Sequence, residues 1–179
     1  GKSVLGYLFR AEARLGMHQY EEALEDLNVF LKKHPEDTRG LELLGKAYSA
    51  LGDHDRAADA YQRAGKQHED SLGGRINAGF SLLNSGKKQE AAEVFAELVA
   101  AFPEAWESHY WLGVAYRELG RLDEAVSALR KAEELAPGNE RTRKELEEIY
   151  LTLGDFSNAA VWIKLKKDKN ASDYLNLAL

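Results

Sequence analysis

The stretch YWLGVAYRELGRLDEAVSALRKAEELAP, residues 110–137, carries two glycines and one proline inside an otherwise helix-forming composition. A glycine in a helix interior costs about 1 kcal/mol relative to alanine. Gly113 and Gly120 therefore need a reason, and so does the stop at Pro137. The reason lies in the rest of the chain, where the same pattern returns on a fixed ruler. Leu44-Gly45-x-Ala47-Tyr48 reappears as Leu112-Gly113-x-Ala115-Tyr116, and Leu51-Gly52 as Leu119-Gly120 and Leu153-Gly154. Ala23, Ala57, Ala91, Ala125 and Ala159 each stand 34 residues from the next, and Pro35, Pro103 and Pro137 share one phase. Five units follow, 4–37, 38–71, 72–105, 106–139 and 140–173, read as a single array over 1–179.

This 34-residue period resembles that of the tetratricopeptide repeat family, and the resemblance implies that each unit is a pair of antiparallel helices, A and B. Such a pair buries its apolar stripe only against its neighbours. Gly113 on helix A and Ala125 on helix B are small so that two backbones can approach. Gly120 ends helix A in the left-handed conformation that glycine adopts cheaply, and Pro137 blocks continuation of helix B. A short helix over 172–179, with Tyr174, Leu175, Leu177 and Leu179 as its apolar part, is expected to cap the end.

The pattern resembles the tetratricopeptide repeat (TPR) family, W-x2-L-G-x2-Y, then A-x3-F, then P, on a 34-residue period. The fourth unit carries Leu112, Gly113, Tyr116, Ala125 and Pro137, with His109 where the family prefers Trp; the second carries Leu44, Gly45, Tyr48, Ala57 and Tyr61. Departures cluster at the ends: Arg14 and His18 replace the usual Tyr and inter-helix Gly in the first unit, and Glu147 and Lys166 replace small residues in the fifth. The resemblance implies an all-α fold, a right-handed α-solenoid of five helix-turn-helix units, whose A helices line a concave face that grips partner peptides.

Composition and chemistry narrow the function. The chain has 179 residues, no cysteine and a net charge of −6. The acidic balance argues against a nucleic-acid binder, and no stretch approaches the roughly 18 apolar residues of a membrane span. Without cysteine there is no disulfide framework or thiol nucleophile. The five histidines (His18, His34, His54, His68, His109) form no metal-ligand spacing. The glycine-rich SLGGRINAG, residues 71–79, lacks the phosphate-loop pattern. No catalytic group, metal or cofactor is expected. The opening Gly1-Lys2-Ser3 without methionine reads as part of a longer protein, and a cytoplasmic location is expected.

The family's partner-contacting positions fall on the second, fifth, sixth, ninth and twelfth residues of each unit. In the third unit they place Ile76, Asn77, Phe80 and Leu83, with Asn84 alongside. In the fourth they place Tyr110, Trp111, Val114 and Arg117, and in the fifth Arg141 and Lys144. Phe80, Tyr110 and Trp111 are expected as apolar anchors, since aromatic residues and arginine dominate interface energetics. Asn77 and Asn84 would bond a peptide backbone, and the three cations would favour an acidic neighbour. The chaperone-tail carboxylate clamp of some TPR arrays is missing: its positions hold Glu42, Lys46, Asn77, Glu107 and Trp111, of which only Asn77 fits. Two functions are compatible with these residues. One is a non-catalytic adaptor that binds a protein segment or helix in its groove. The other is a self-assembling scaffold, of the kind found with organelles or membranes, that stacks through Val4, Leu5 and Leu8 at one end and Tyr174 to Leu179 at the other.

Overall fold

The computed structural model describes residues 4–67 and 72–167, and the expected capping helix at 172–179 lies outside them. Among the described residues ten helices occur in order: α1 (Val4–Gly16), α2 (Tyr20–Leu31), α3 (Thr38–Ala50), α4 (His54–Gln67), α5 (Leu72–Asn84), α6 (Lys88–Ala101), α7 (Trp106–Glu118), α8 (Leu122–Leu135), α9 (Glu140–Thr152) and α10 (Phe156–Lys167). No strand occurs among the described residues. Odd-numbered helices are the A members and even-numbered helices the B members of successive units.

The chain forms two compact units, Gly1–Val94 and Phe95–Leu179, with the boundary inside α6. In the first, each of α1 to α4 packs on the next helix, and α1 also touches α3. Its core includes Leu8, Ala23, Leu27, Phe30, Leu44 and Ala60. In the second, α7 to α10 pack in the same sequential way, α7 also touches α9, and Leu129, Leu146, Ile149 and Trp162 are buried.

The two opening glycines have separate jobs. A Cβ on Gly113 would lie 2.6 Å from Leu129 Cγ and 3.2 Å from the Ala125 carbonyl oxygen, so the absent side chain is what lets α7 and α8 meet. Gly120 sits just past α7 with φ 75°. Its N–H donates to the Arg117 carbonyl at 2.9 Å, and the Arg121 N–H donates to the Tyr116 carbonyl at 2.9 Å. That is the paired closure of a helix end through a left-handed residue. Gly52, Gly86 and Gly154 repeat the conformation, and in the first unit His18 takes it instead, with φ 58°. The starts of α3 and α9 are closed by side chains: Asp37 accepts from the Gly40 N–H, and Asn139 from the N–H groups of Arg141 and Thr142, satisfying donors that a helix N-terminus leaves open.

The substitutions in the first unit also have a structural role. Arg14, at the family's Tyr position, and Arg10 converge on Asp26, which is buried: Arg10 Nε–Oδ2 is 2.7 Å and Arg14 Nη1–Oδ2 is 2.6 Å. The corresponding positions in the second repeat, 38–71, hold Leu44, Tyr48 and Ala60, of which Leu44 and Ala60 belong to the core. An ion cluster therefore stands where the next repeat has apolar contacts.

Candidate functional site

The partner-facing positions of the A helices are best described separately in each compact unit. In the first unit α5 carries Ile76, Asn77, Phe80 and Leu83. Phe80 is 44% exposed, Asn77 is exposed, and Ile76 and Leu83 are half-buried. On α1 the equivalent row presents Leu5 and Phe9, both more than half exposed. Arg39 of α3 lies over the Phe9 ring at 5.6 Å and pairs with Glu12 at 2.5 Å. The position of Phe9 in its repeat matches that of Asn77 and Trp111, on the partner-facing row. Asn84 lines a polar crevice of about 490 Å³ with Asp53, His54, Asp55 and Ser85.

The second unit differs from expectation. Tyr110 and Val114 are each only 7% exposed, so neither is an open anchor. Tyr110 sits among other rings: Trp106 at 5.9 Å and Trp111 at 5.2 Å, the latter edge-on. Trp111 in turn stacks on Phe95 at 6.0 Å and 15°. The aromatic residues of α7 are thus used largely on one another and on α6. Burial pushes the Tyr110 phenol above its ordinary range, because the phenolate would lose its hydration.

The cations are also engaged. Arg117 Nη1 lies 3.2 Å from Glu145 Oε2 and 3.3 Å from Glu148 Oε2, and its Nη2 lies 3.2 Å from Glu118 Oε1. Lys144 reaches the second oxygen of Glu148 at 3.6 Å. Arg117 and Lys144 thus meet carboxylates of the chain itself, Glu118, Glu145 and Glu148. Burial drives the Glu145 carboxyl above its usual range despite the opposing pull of Arg117. The repeat register assigns Glu145 to a partner-facing row, but only the packing of α9 on α7 shows which residues meet it.

A crevice of about 590 Å³ beside α7 and α8 is lined by Leu112, Tyr116, Ala128, Arg130 and neighbouring residues. His109, expected as an aromatic substitute, instead donates through Nε2 to the Pro103 carbonyl at 2.8 Å. Among the described residues no group of three or more His, Cys, Asp or Glu is placed to hold a metal. No helix among them is long and apolar enough to cross a membrane.

This geometry is that of repeated helical hairpins with partly exposed A-helix faces. The family model for the tetratricopeptide repeat matches residues 10–71 and 77–140. The chain belongs to the TPR family. Among solved structures, MamA 41-end from Desulfovibrio magneticus RS-1 is similar with a TM-score of 0.81 and 25% identity, covering 97% of this chain and 98% of that one. A second MamA protein crystal structure gives a TM-score of 0.80 at 21% identity, covering 91% of this chain and 89% of that one. Among curated relatives, a BBSome complex member BBS4 homolog from Drosophila melanogaster is 27% identical over 187 residues, covering 100% of this chain and 38% of that protein. A DnaJ protein P58IPK homolog B from Oryza sativa subsp. japonica is 28% identical over 142 residues, covering 70% of this chain and 30% of that protein. The chain spans about a third of the length of the curated relatives it matches. The family and the structural likeness support a protein-interaction scaffold.

Proposed function

We propose that this chain is a non-catalytic scaffold that holds a segment of another polypeptide on its A-helix faces. The observation that carries the reading is the exposure of Phe80 on α5, flanked by Ile76 and Asn77, in a position whose counterpart in the second unit, Val114, is buried. A large aromatic that is 44% exposed on a rigid helix loses little conformational freedom when a partner covers the exposed part. Phe9 on α1 extends the same row within the first unit. Trp111, Arg141 and Lys144 are the corresponding candidates in the second unit, with Arg117 and its carboxylates offering polar contacts of both signs. Treating 1–179 as one array rests on the unbroken 34-residue register and on the coverage of the likeness to MamA.

The test is affinity capture with the purified chain followed by mass-spectrometric identification. The named partner's binding is then measured by calorimetry against wild type and Phe80→Asp. Binding should weaken at least about tenfold in the variant, as for a central anchor, with an unchanged circular dichroism melt. Equal affinity in both proteins would remove Phe80 from the site.

Self-association is the second reading, favoured by Phe156, which is 71% exposed at the α9–α10 turn beside exposed Leu151 and Leu153. The opposite end is less suited to it than the sequence suggested: Leu8 is buried and Val4 half-buried, leaving Leu5 exposed. Light scattering across a concentration series separates the readings, since mass rising with concentration and abolished by Phe156→Asp requires self-contact.

A further inference from the structure

Successive units meet where the end of a B helix faces the start of the following A helix. Two positions ten residues apart recur at these junctions: Leu31 and Leu41, Gly65 and Arg75, Val99 and His109, Glu133 and Arg143. In the first, Leu41 is buried and Leu31 packs close over Gly40. In the second, Arg75 Cγ lies 3.2 Å from where a Cβ on Gly65 would stand. The fourth is ionic and dry. Glu133 is 0% and Arg143 5% exposed, and Arg143 Nε lies 2.7 Å from Glu133 Oε1. The same oxygen accepts the Gly138 N–H at 2.9 Å. Gly138 holds φ 87°; among the described residues, the other left-handed positions all lie at turns from an A helix to its own B helix. The three members stand at even spacing, five residues apart, in Glu133-x4-Gly138-x4-Arg143.

Two charges removed from water regain their lost hydration only when they face each other in good geometry, and an apolar pair of similar volume often holds as well or better. Stability alone therefore gives no reason for charge at this joint. An apolar pair tolerates small slides along the helices; one carboxylate oxygen, Glu133 Oε1, meets both a guanidinium and a turn N–H only in a single register, while its Oε2 is buried without a hydrogen-bond partner. We infer that Glu133, Gly138 and Arg143 form a keyed joint that fixes α9 on α8 in one register, and thereby sets where Glu145 and Glu148 of α9 meet Arg117 of α7. Glu133 and Arg143 are positioning residues, and this inference does not depend on the partner-binding reading.

Hydrogen exchange and carboxyl titration by NMR on the full chain test it. Arg143→Leu leaves Glu133 buried and alone; amide protection in α9 and α10 should fall about a hundredfold or more while α3 is unchanged. The double variant Glu133→Leu with Arg143→Leu gives this junction the chemistry of the first, and its protection should return to within a few-fold of wild type. In that same protein the Glu145 carboxyl should titrate closer to an ordinary glutamate than it does in wild type, because α9 is no longer held in one place. If Arg143→Leu does not fold, Glu133→Gln, which keeps one acceptor for the Gly138 N–H, stands in for the single variant. Protection lost equally in single and double variants overturns the inference. So does a recovered double variant in which Glu145 titrates as in wild type, since the pair would then be packing without positioning.

Discussion

Replacing Gly113 with alanine measures the close helix approach on which the repeat depends. In an unconstrained helix the change would help by about 1 kcal/mol. Here the new methyl would stand 2.6 Å from Leu129 Cγ and 3.2 Å from the Ala125 carbonyl oxygen. Leu129 is fully buried and has no solvent to swing into, and the carbonyl belongs to the α8 backbone, so the helices must separate. Overpacking of this kind costs about 1–3 kcal/mol, and the near-complete burial puts it toward the upper end. After subtracting the propensity gain, Gly113→Ala should lose about 1–2 kcal/mol, or about 2–8 °C in a chain of this size. All three tryptophans (Trp106, Trp111, Trp162) lie in the second compact unit, so their fluorescence in a urea titration follows the affected part directly. Gly6→Ala is the matched control: nothing lies within 4 Å of its Cβ position in α1. It should therefore gain up to about 1 kcal/mol, read by far-ultraviolet circular dichroism. A Gly113→Ala protein as stable as wild type would show that α7 and α8 do not need the missing side chain, and the account of the opening sequence would collapse with it.

Tyr110→Ala should destabilise the second unit by about 3 kcal/mol, whereas Phe80→Ala should cost under about 1 kcal/mol; thermal melts that rank them the other way would reverse the assignment of core and surface. His18→Gly should stabilise the first unit by about 1 kcal/mol, since a non-glycine residue in the left-handed region is strained. That figure is reduced by whatever the His18 Nδ1 contact to the Tyr20 hydroxyl, at 2.6 Å, contributes; a lowered melting temperature would mean that this contact outweighs the strain. Hydrogen bonding from Arg10, joined by the charge of Arg14, holds Asp26 below the usual aspartate range. Its contribution is then fully present above about pH 4 and lost as pH falls through the lowered value. Asp26→Asn should be less stable than wild type at neutral pH, with the gap closing in acid; a gap independent of pH would rule out the ionic contribution.

Much of this protein was determined by its sequence alone. A 34-residue recurrence of Ala23, Ala57, Ala91, Ala125 and Ala159, with glycine at Gly45 and Gly113, specifies close-packed helical hairpins because only small side chains permit that approach. The turn glycines and the prolines mark where the helices stop, since backbone conformation is a local property. Burial of individual side chains was not local, and only the tertiary structure decided it. Phe80 and Val114 occupy the same place in their repeats, yet one is 44% exposed and the other 7%, because burial depends on what the surrounding helices bring. The same holds for Arg117, whose sequence offers a free cation and whose neighbours α7 and α9 supply three carboxylates. Charges find partners across helices that are distant along the chain, and no period in the sequence encodes which ones meet.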